Sequence, residues 1–383
     1  MDEYGERVRR ALTESGMSLR GAAKALSYDV AYLSRVINGK QSASPEFRKA
    51  VATVLRVSAN PEPAAPDDEE QAWDLTRRVQ ASDVRGGTLE RLELAFDELA
   101  MAYPKSSPEE LLARVRKHSG YVAKLLDSKK TLAEHRRLLV VGGWLSLLGA
   151  TVHIDLKQDD AATARLQTAA TLAREAGHPE IEAWCFETDA WRVLTEGDYL
   201  RALELSRIAQ SLAPANSSAL IQATAQEGRA LARMGDSKET YTAIDRVHAL
   251  SSEIGEPDQP EHHYKYDPNK ALAYTATTLA WLGDTGAEPY ARAVIERLKP
   301  NSDPSRWPRR VASANIDLAL VLISDNRLDE ACDSVQKAIL SGKVAPSNHW
   351  RALEVVKAVE ARGLPEGPAL RDAYRELRAT DDL

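Results

Sequence analysis

SLRGAAKALSYDVAYLSRVINGK, residues 18–40, carries the signals for two short helices joined by a tight turn. Ser18 is placed to cap a first helix whose apolar face is Leu19, Ala22, Ala23 and Leu26. Asp29 is placed to cap a second helix that buries Leu33, Val36 and Ile37. Asn38-Gly39 ends that helix, because both residues tolerate the left-handed backbone of a helix exit. Ala22 and Ala23 supply the small side chains that two steeply crossing helices need at their contact. The flanks agree: an amphipathic helix runs from Tyr4 to Ser15, and Ser44-Pro45 starts another that reaches about Leu55.

With Ala23, the apolar trio Leu26, Leu33 and Val36, and the Asn38-Gly39 exit before Lys40, this segment resembles the DNA-binding domain of the Cro/repressor-like (Xre) family. Two positions depart from the family pattern. Leu19 stands where members usually carry a phosphate-contacting glutamine, and Ser27 stands at the turn glycine. The resemblance implies a helix–turn–helix whose second helix enters the major groove. By position, Val30, Ala31, Ser34 and Arg35 then face base edges. Val30 and Ala31 suit thymine methyls, and Arg35 suits guanine O6 and N7. Arg20, Tyr32, Lys40 and the helix start at Ser44 are the expected phosphate contacts.

Charge is divided along the chain. Residues 1–58 hold ten Lys/Arg against six Asp/Glu, a balance of +4, whereas the whole chain of 383 residues carries −7. A basic head and an acidic body suit a protein whose head alone touches phosphates. Cys185 and Cys332 lie in helical patterns without a CxxC partner or a nearby histidine, which points to free buried thiols. The apolar run LLVVGGWLSLLG at 138–149 is too short and too glycine-rich to span a membrane. A soluble, cytoplasmic, nucleoid-associated protein is expected.

SANPEPAAPDDEE at 58–70 reads as an exposed linker. The division expected is therefore a DNA-binding domain over 1–58, a Pro/acidic linker over 59–70, and an all-helical body over 71–383. In that body GDYLRALELSRIAQSLAP places Gly197, Ala202, Ala209 and Pro214 at offsets resembling the second half of a tetratricopeptide repeat. Parts of the pattern return at Gly228, Gly235 and Val247, at Gly283-Asp284 and Pro300, and at Ala319, Asn326, Ala331 and Ala338. Ala162 and Ala169 mark an upstream copy. The fold class expected is all-α: a helix–turn–helix head and a tetratricopeptide-like helical solenoid.

In such a stack the first helix of each pair lines the inner face. Taking Gly197, Gly235 and Gly283 as turn markers, that face holds Trp184, Glu187, Trp191, Gln222, Arg229, Arg233, Lys270, Tyr274 and Thr277. Aromatics mixed with cations suit a peptide or small-molecule effector. EPDQPEHHYKYDPNK at 256–270 reads as a loop over this groove with its aromatics as a lid; adjacent His262 and His263 make a poor metal site. RWPRRVASAN at 306–315 reads as a solvated helix start, with Arg309 and Arg310 able to receive an anion. Phosphate-cradling, dinucleotide, zinc-protease and serine-elbow motifs are missing from the sequence, so neither an enzyme nor a cofactor is expected. Together these features resemble bacterial transcription regulators in which a helical body senses a ligand and controls the head. The partners implied are double-stranded operator DNA, an effector, and a second copy in a homodimer. The competing class is a protein-interaction scaffold whose helix–turn–helix no longer binds DNA.

Overall fold

A computed structural model describes residues 3–57, 68–84, 86–255, 257–298 and 308–379. All regular structure among them is helical, and the chain divides into two compact units, Met1–Gln80 and Ala81–Leu383.

The first unit contains α1 (Glu3–Glu14), α2 (Leu19–Leu26), α3 (Val30–Ile37), α4 (Pro45–Leu55) and α5 (Asp68–Gln80). Of the linker expected at 59–70, residues 68–70 open α5, and 59–67 lie outside the described residues. Helices α2, α3 and α4 start where side chains can cap them. Ser18 Oγ accepts from Gly21 N–H (3.1 Å), Asp29 Oδ1 from Ala31 N–H (2.8 Å) and Ser44 Oγ from Phe47 N–H (3.2 Å). Val8, Ala22, Ala23, Leu33, Val36, Phe47 and Val51 are almost wholly buried and form the centre of the core. Gly5 is required by close approach: a Cβ there would stand 2.6 Å from the Val36 carbonyl oxygen.

Two local expectations are corrected. Leu19 is 37% exposed rather than packed, because the core-facing stripe of α2 is already filled by Ala22, Ala23 and Leu26. At the exit of α3 only Gly39 is left-handed (φ 69°); Asn38 keeps φ −91°. Its side chain does the terminating instead, donating to the Ser34 carbonyl (2.8 Å) and accepting from Arg9 (2.9 Å).

The second unit opens with α6 (Gly86–Ala102) and α7 (Pro108–Asp127), then proceeds by antiparallel pairs. The pairs are α8 (Leu132–Asp155) with α9 (Asp159–Ala176), α10 (Pro179–Thr195) with α11 (Tyr199–Leu212), and α12 (Ser218–Met234) with α13 (Ser237–Glu253). They continue with α14 (Pro268–Leu282) and α15 (Ala287–Arg297), α16 (Pro308–Ser324) and α17 (Leu328–Leu340), and α18 (His349–Ala361) and α19 (Gly367–Ala379). Gly197, Gly235, Gly283 and Asn326 all adopt positive φ between the two helices of a pair, where a short reversal needs a left-handed residue. Asp198 and Asp236 then cap the helices that follow. The second helices bury small residues seven apart, Ala162/Ala169, Ala202/Ala209 and Ala331/Ala338, all fully buried. That spacing returns to one face after two turns and lets neighbouring helices approach closely. This is a helical-repeat body.

The apolar run at 138–149 belongs to the 24-residue α8, whose most apolar window has a mean hydropathy of 1.5 and is 83% buried inside the body. The helix meets the length for a span, contrary to the sequence expectation, yet its apolar surface is covered by protein: Leu138, Leu145, Leu147 and Leu148 all sit in the main core of the body. Cys185 and Cys332 are free and buried.

Candidate functional site

The exposed face of α3 is built by exclusion. Leu33, Val36 and Ile37 face the core, so Val30, Ala31 and Arg35 emerge on the opposite side, with Ser34 half-buried beside them. Arg35 Nε donates to Gln41 Oε1 (2.8 Å), which fixes the guanidinium along the helix exit. Gln41 was not singled out from sequence; its only signal was its place just beyond the exit. Arg20 and Lys40 are exposed at either side of α3, as is Lys24, another cation that the sequence reading passed over. Tyr32 and Ser44 are engaged with each other, the Ser44 N–H donating to the Tyr32 hydroxyl (3.1 Å). The Tyr32 ring packs edge-on against Phe47 (5.2 Å) and stacks on Tyr28 (5.5 Å), so it braces the head as well as facing outward.

The body holds a partly open cavity of about 230 Å³. The first helices of all six pairs contribute to it, which is how residues from 103 to 351 meet at one place. Eight of the nine residues assigned to the inner face line it: Trp184, Glu187, Trp191, Gln222, Arg229, Lys270, Tyr274 and Thr277. Arg233 does not. One turn beyond Arg229, it makes a bidentate pair with Glu354 (3.0 and 2.7 Å) and lies over Trp281 and Trp350.

Most charges around the cavity are paired. Asp155 accepts from the Tyr103 hydroxyl (2.9 Å), Arg309 (3.1 Å) and Ser347 (2.8 Å). Asp317 accepts from Thr277 (2.7 Å) and Arg351, and Asp267 faces Arg310 (3.4 Å). Arg309 and Arg310 therefore do not form a solvated helix start; internal carboxylates draw them inward. Arg306 and Trp307 lie outside the described residues.

Arg229 is arranged differently. Its guanidinium lies over the rings of Tyr274 (4.4 Å) and Trp191 (5.1 Å) and donates to the Gln226 amide oxygen. Burial lowers its pKa from the ordinary arginine value. Glu187 accepts from Gln222 (2.9 Å), and burial raises its carboxyl pKa. The Lys270 ammonium donates to the carbonyls of His262 (3.3 Å), His263 (2.8 Å) and Lys265. Burial, and then the Arg310 charge, bring it down to about 7.

Lys270 thus ties the 261–267 loop into the body, and the expected lid is not what the loop forms. Tyr264 is buried against Trp144 and Trp184 (both 5.1 Å), and its hydroxyl meets that of Thr151 (3.3 Å). Tyr266 is buried too. Apolar ring surface is more stable inside than spread over a groove, so the loop's aromatics fill core space. His262 pairs with Asp97 (3.3 Å), and among the described residues no group of three or more His, Cys, Asp or Glu side chains could hold a metal ion.

Comparison with known proteins supports the head directly. Residues 3–65 match the family model of a helix-turn-helix domain. The head of this chain is a helix-turn-helix domain. A search of the curated proteins gave no match. Among solved structures, that of Bacillus thuringiensis PlcR in complex with the peptide PapR7 and DNA is similar at 12% identity, over 100% of this chain and 95% of that one, with a TM-score of 0.29. That superposition is too loose to transfer any feature of PlcR to this chain.

Proposed function

We propose that this chain is a transcription regulator, not an enzyme, that reads operator DNA with α3 and answers to an effector held in its body. The observation that carries the reading is the outward face of α3 in a matched helix-turn-helix domain, with Arg35 set by Gln41 and flanked by Arg20 and Lys40. Val30 and Ala31 offer only apolar surface, which suits thymine methyls, while Arg35 offers the bidentate donors that suit guanine. Arg20, Lys40 and the Tyr32 hydroxyl proton meet phosphates; the Ser44 N–H does not, since Tyr32 accepts it.

A head with so few cations gains from doubling its contacts, so the working form is a homodimer on half-sites about 34 Å or a multiple of it apart. The cavity's aromatic and cationic lining supports the sensor role of the body. On this reading the protein works in the cytoplasm, on the nucleoid.

The test is genome-wide mapping of bound fragments followed by retardation assays on the site recovered. Arg35→Ala should lower specific affinity by about 1–3 kcal/mol and relax preference at one guanine. Lys40→Ala should weaken all sequences alike and reduce the salt slope by about one unit. Failure of the full chain to retard any DNA at low salt would leave the scaffold reading in its place.

A further inference from the structure

Once the ion pairs at the cavity are set aside, two buried cations are left whose charged groups bond only neutral oxygens among the described residues. Asp155 neutralises Arg309, Asp317 neutralises Arg351, and Asp267 faces Arg310. Arg229 and Lys270 remain as buried cations; the other carboxylates at the lining are Glu187, buried and bonded to the neutral Gln222, and the half-buried Glu261. Arg229 is 6% exposed, bonds the neutral Gln226, and its Nε–H has no acceptor among the described residues. Among the described residues the Lys270 ammonium donates to neutral carbonyls, those of His262, His263 and Lys265. Charges removed from water in this way call for a counter-charge. The rings flanking Arg229, Trp191 and Tyr274, are only half-buried and line the cavity.

We propose that the cavity binds a small organic monocarboxylate, with its carboxylate on Arg229 in the field of Lys270 and its flat apolar body against Trp191 and Tyr274. A carboxylate matches the fork of a guanidinium and offers the Arg229 Nε–H the acceptor it lacks among the described residues. The volume of about 230 Å³ lies below the roughly 300–1,000 Å³ of sites for drug-sized ligands, which favours a small acid over a peptide of several residues. This inference rests on reading the body as the sensor, and it names the chemistry sensed.

The experiment is calorimetric titration of the full chain with benzoate, phenylacetate and indole-3-acetate, each beside its primary amide. The amide keeps the shape and removes the charge. At least one acid should bind saturably, and its amide about tenfold or more weakly, as the loss of a charge-assisted contact entails. Arg229→Gln should lose binding of that acid by a similar factor, and Arg229→Lys should retain part of it. Because the acid–amide comparison uses the unaltered protein, it decides the matter even if a variant misfolds.

Equal binding of acid and amide overturns the proposal. So does the absence of binding by every acid, full binding by the Arg229→Gln variant, or binding confined to peptides of several residues. Retardation assays in the same series separate the two readings. Acid binding that leaves DNA affinity unchanged sustains the site and removes the sensor role, whereas loss of DNA binding by the parent chain sinks the regulator reading alone.

Discussion

The head keeps its chemistry on the outside and the body keeps its chemistry within. In the head, buried positions are apolar, and the polar groups of α3 face solvent: Arg35 leans on exposed Gln41, and its neighbours are two exposed cations. In the body, Asp155, Glu187, Arg229, Lys270, Asp317 and Arg351 are all buried. An outward reading surface needs only a rigid platform, which a few caps and a small core provide. An inward site must neutralise or hydrogen-bond every charge it buries, so its residues are committed to one another across the whole solenoid. The head should therefore tolerate substitution on its working face, while the body should not.

The largest contrast lies at Asp317. Its carboxylate and Arg351 are almost fully buried and bonded to each other, and Thr277 donates to it as well. Asp317→Ala leaves Arg351 charged and stranded, and should cost the body about 3–5 kcal/mol in denaturant unfolding. Replacing both partners, as Asp317→Leu with Arg351→Met, should recover most of that loss. Arg35→Ala on the head surface should leave unfolding within about 0.5 kcal/mol of the parent. If Asp317→Ala proves as mild as Arg35→Ala, the difference between the regions has been misread.

Acid should separate them next. Burial lowers the pKa of His262 to about 4 and also lowers those of His153, His178 and His263, while residues 1–58 contain no histidine. Unfolded histidines take up protons near pH 6.5, where these folded ones still refuse them. The unfolded state thus binds more protons between about pH 6.5 and 4, and the body's stability must fall as pH drops through that window. Hydrogen exchange followed by peptide should show protection declining in α6 and α8 with acid, and His262→Gln should flatten part of the slope. Equal acid sensitivity in α1–α4 and in the body would erase this contrast.

The same division explains what the sequence disclosed. Ser18, Asp29 and Ser44 act on backbone two or three residues away, so the head was legible from local spacing. The turn residues Gly197, Gly235, Gly283 and Asn326 were legible for the same reason, and through them the inner positions of the helix pairs. Asp155 and Arg309, 154 positions apart, were not: the sequence suits Arg309 to an anion but does not say which one. Neither was the hold of Arg233 on Glu354, 121 positions away. The 261–267 loop misled because histidines and tyrosines look like a lid until the space beneath them is known. Local rules fix caps and turns; pairing of buried charges depends on which helices meet.

The smallest expected effect tests how far the head's local rules extend. Ser27 ends α2 at φ 57°, the left-handed region, with its N–H donating to the Lys24 carbonyl (3.2 Å). Left-handed backbone brings Cβ of an L-residue close to the following carbonyl, a strain that glycine escapes. Against that gain stands glycine's greater freedom in the unfolded chain, and Ser27 is exposed, so no packing is lost. The balance favours glycine, and Ser27→Gly should raise the head's stability by up to about 1 kcal/mol. The outward face of α3 is untouched by the change, so the base preference proposed for the full chain should stay the same. Thermal unfolding of the head and retardation on operator variants measure the two effects separately. A destabilised Ser27→Gly head would mean that the serine contributes more to this turn than its backbone strain costs, and local geometry would then account for less of the head than it does here.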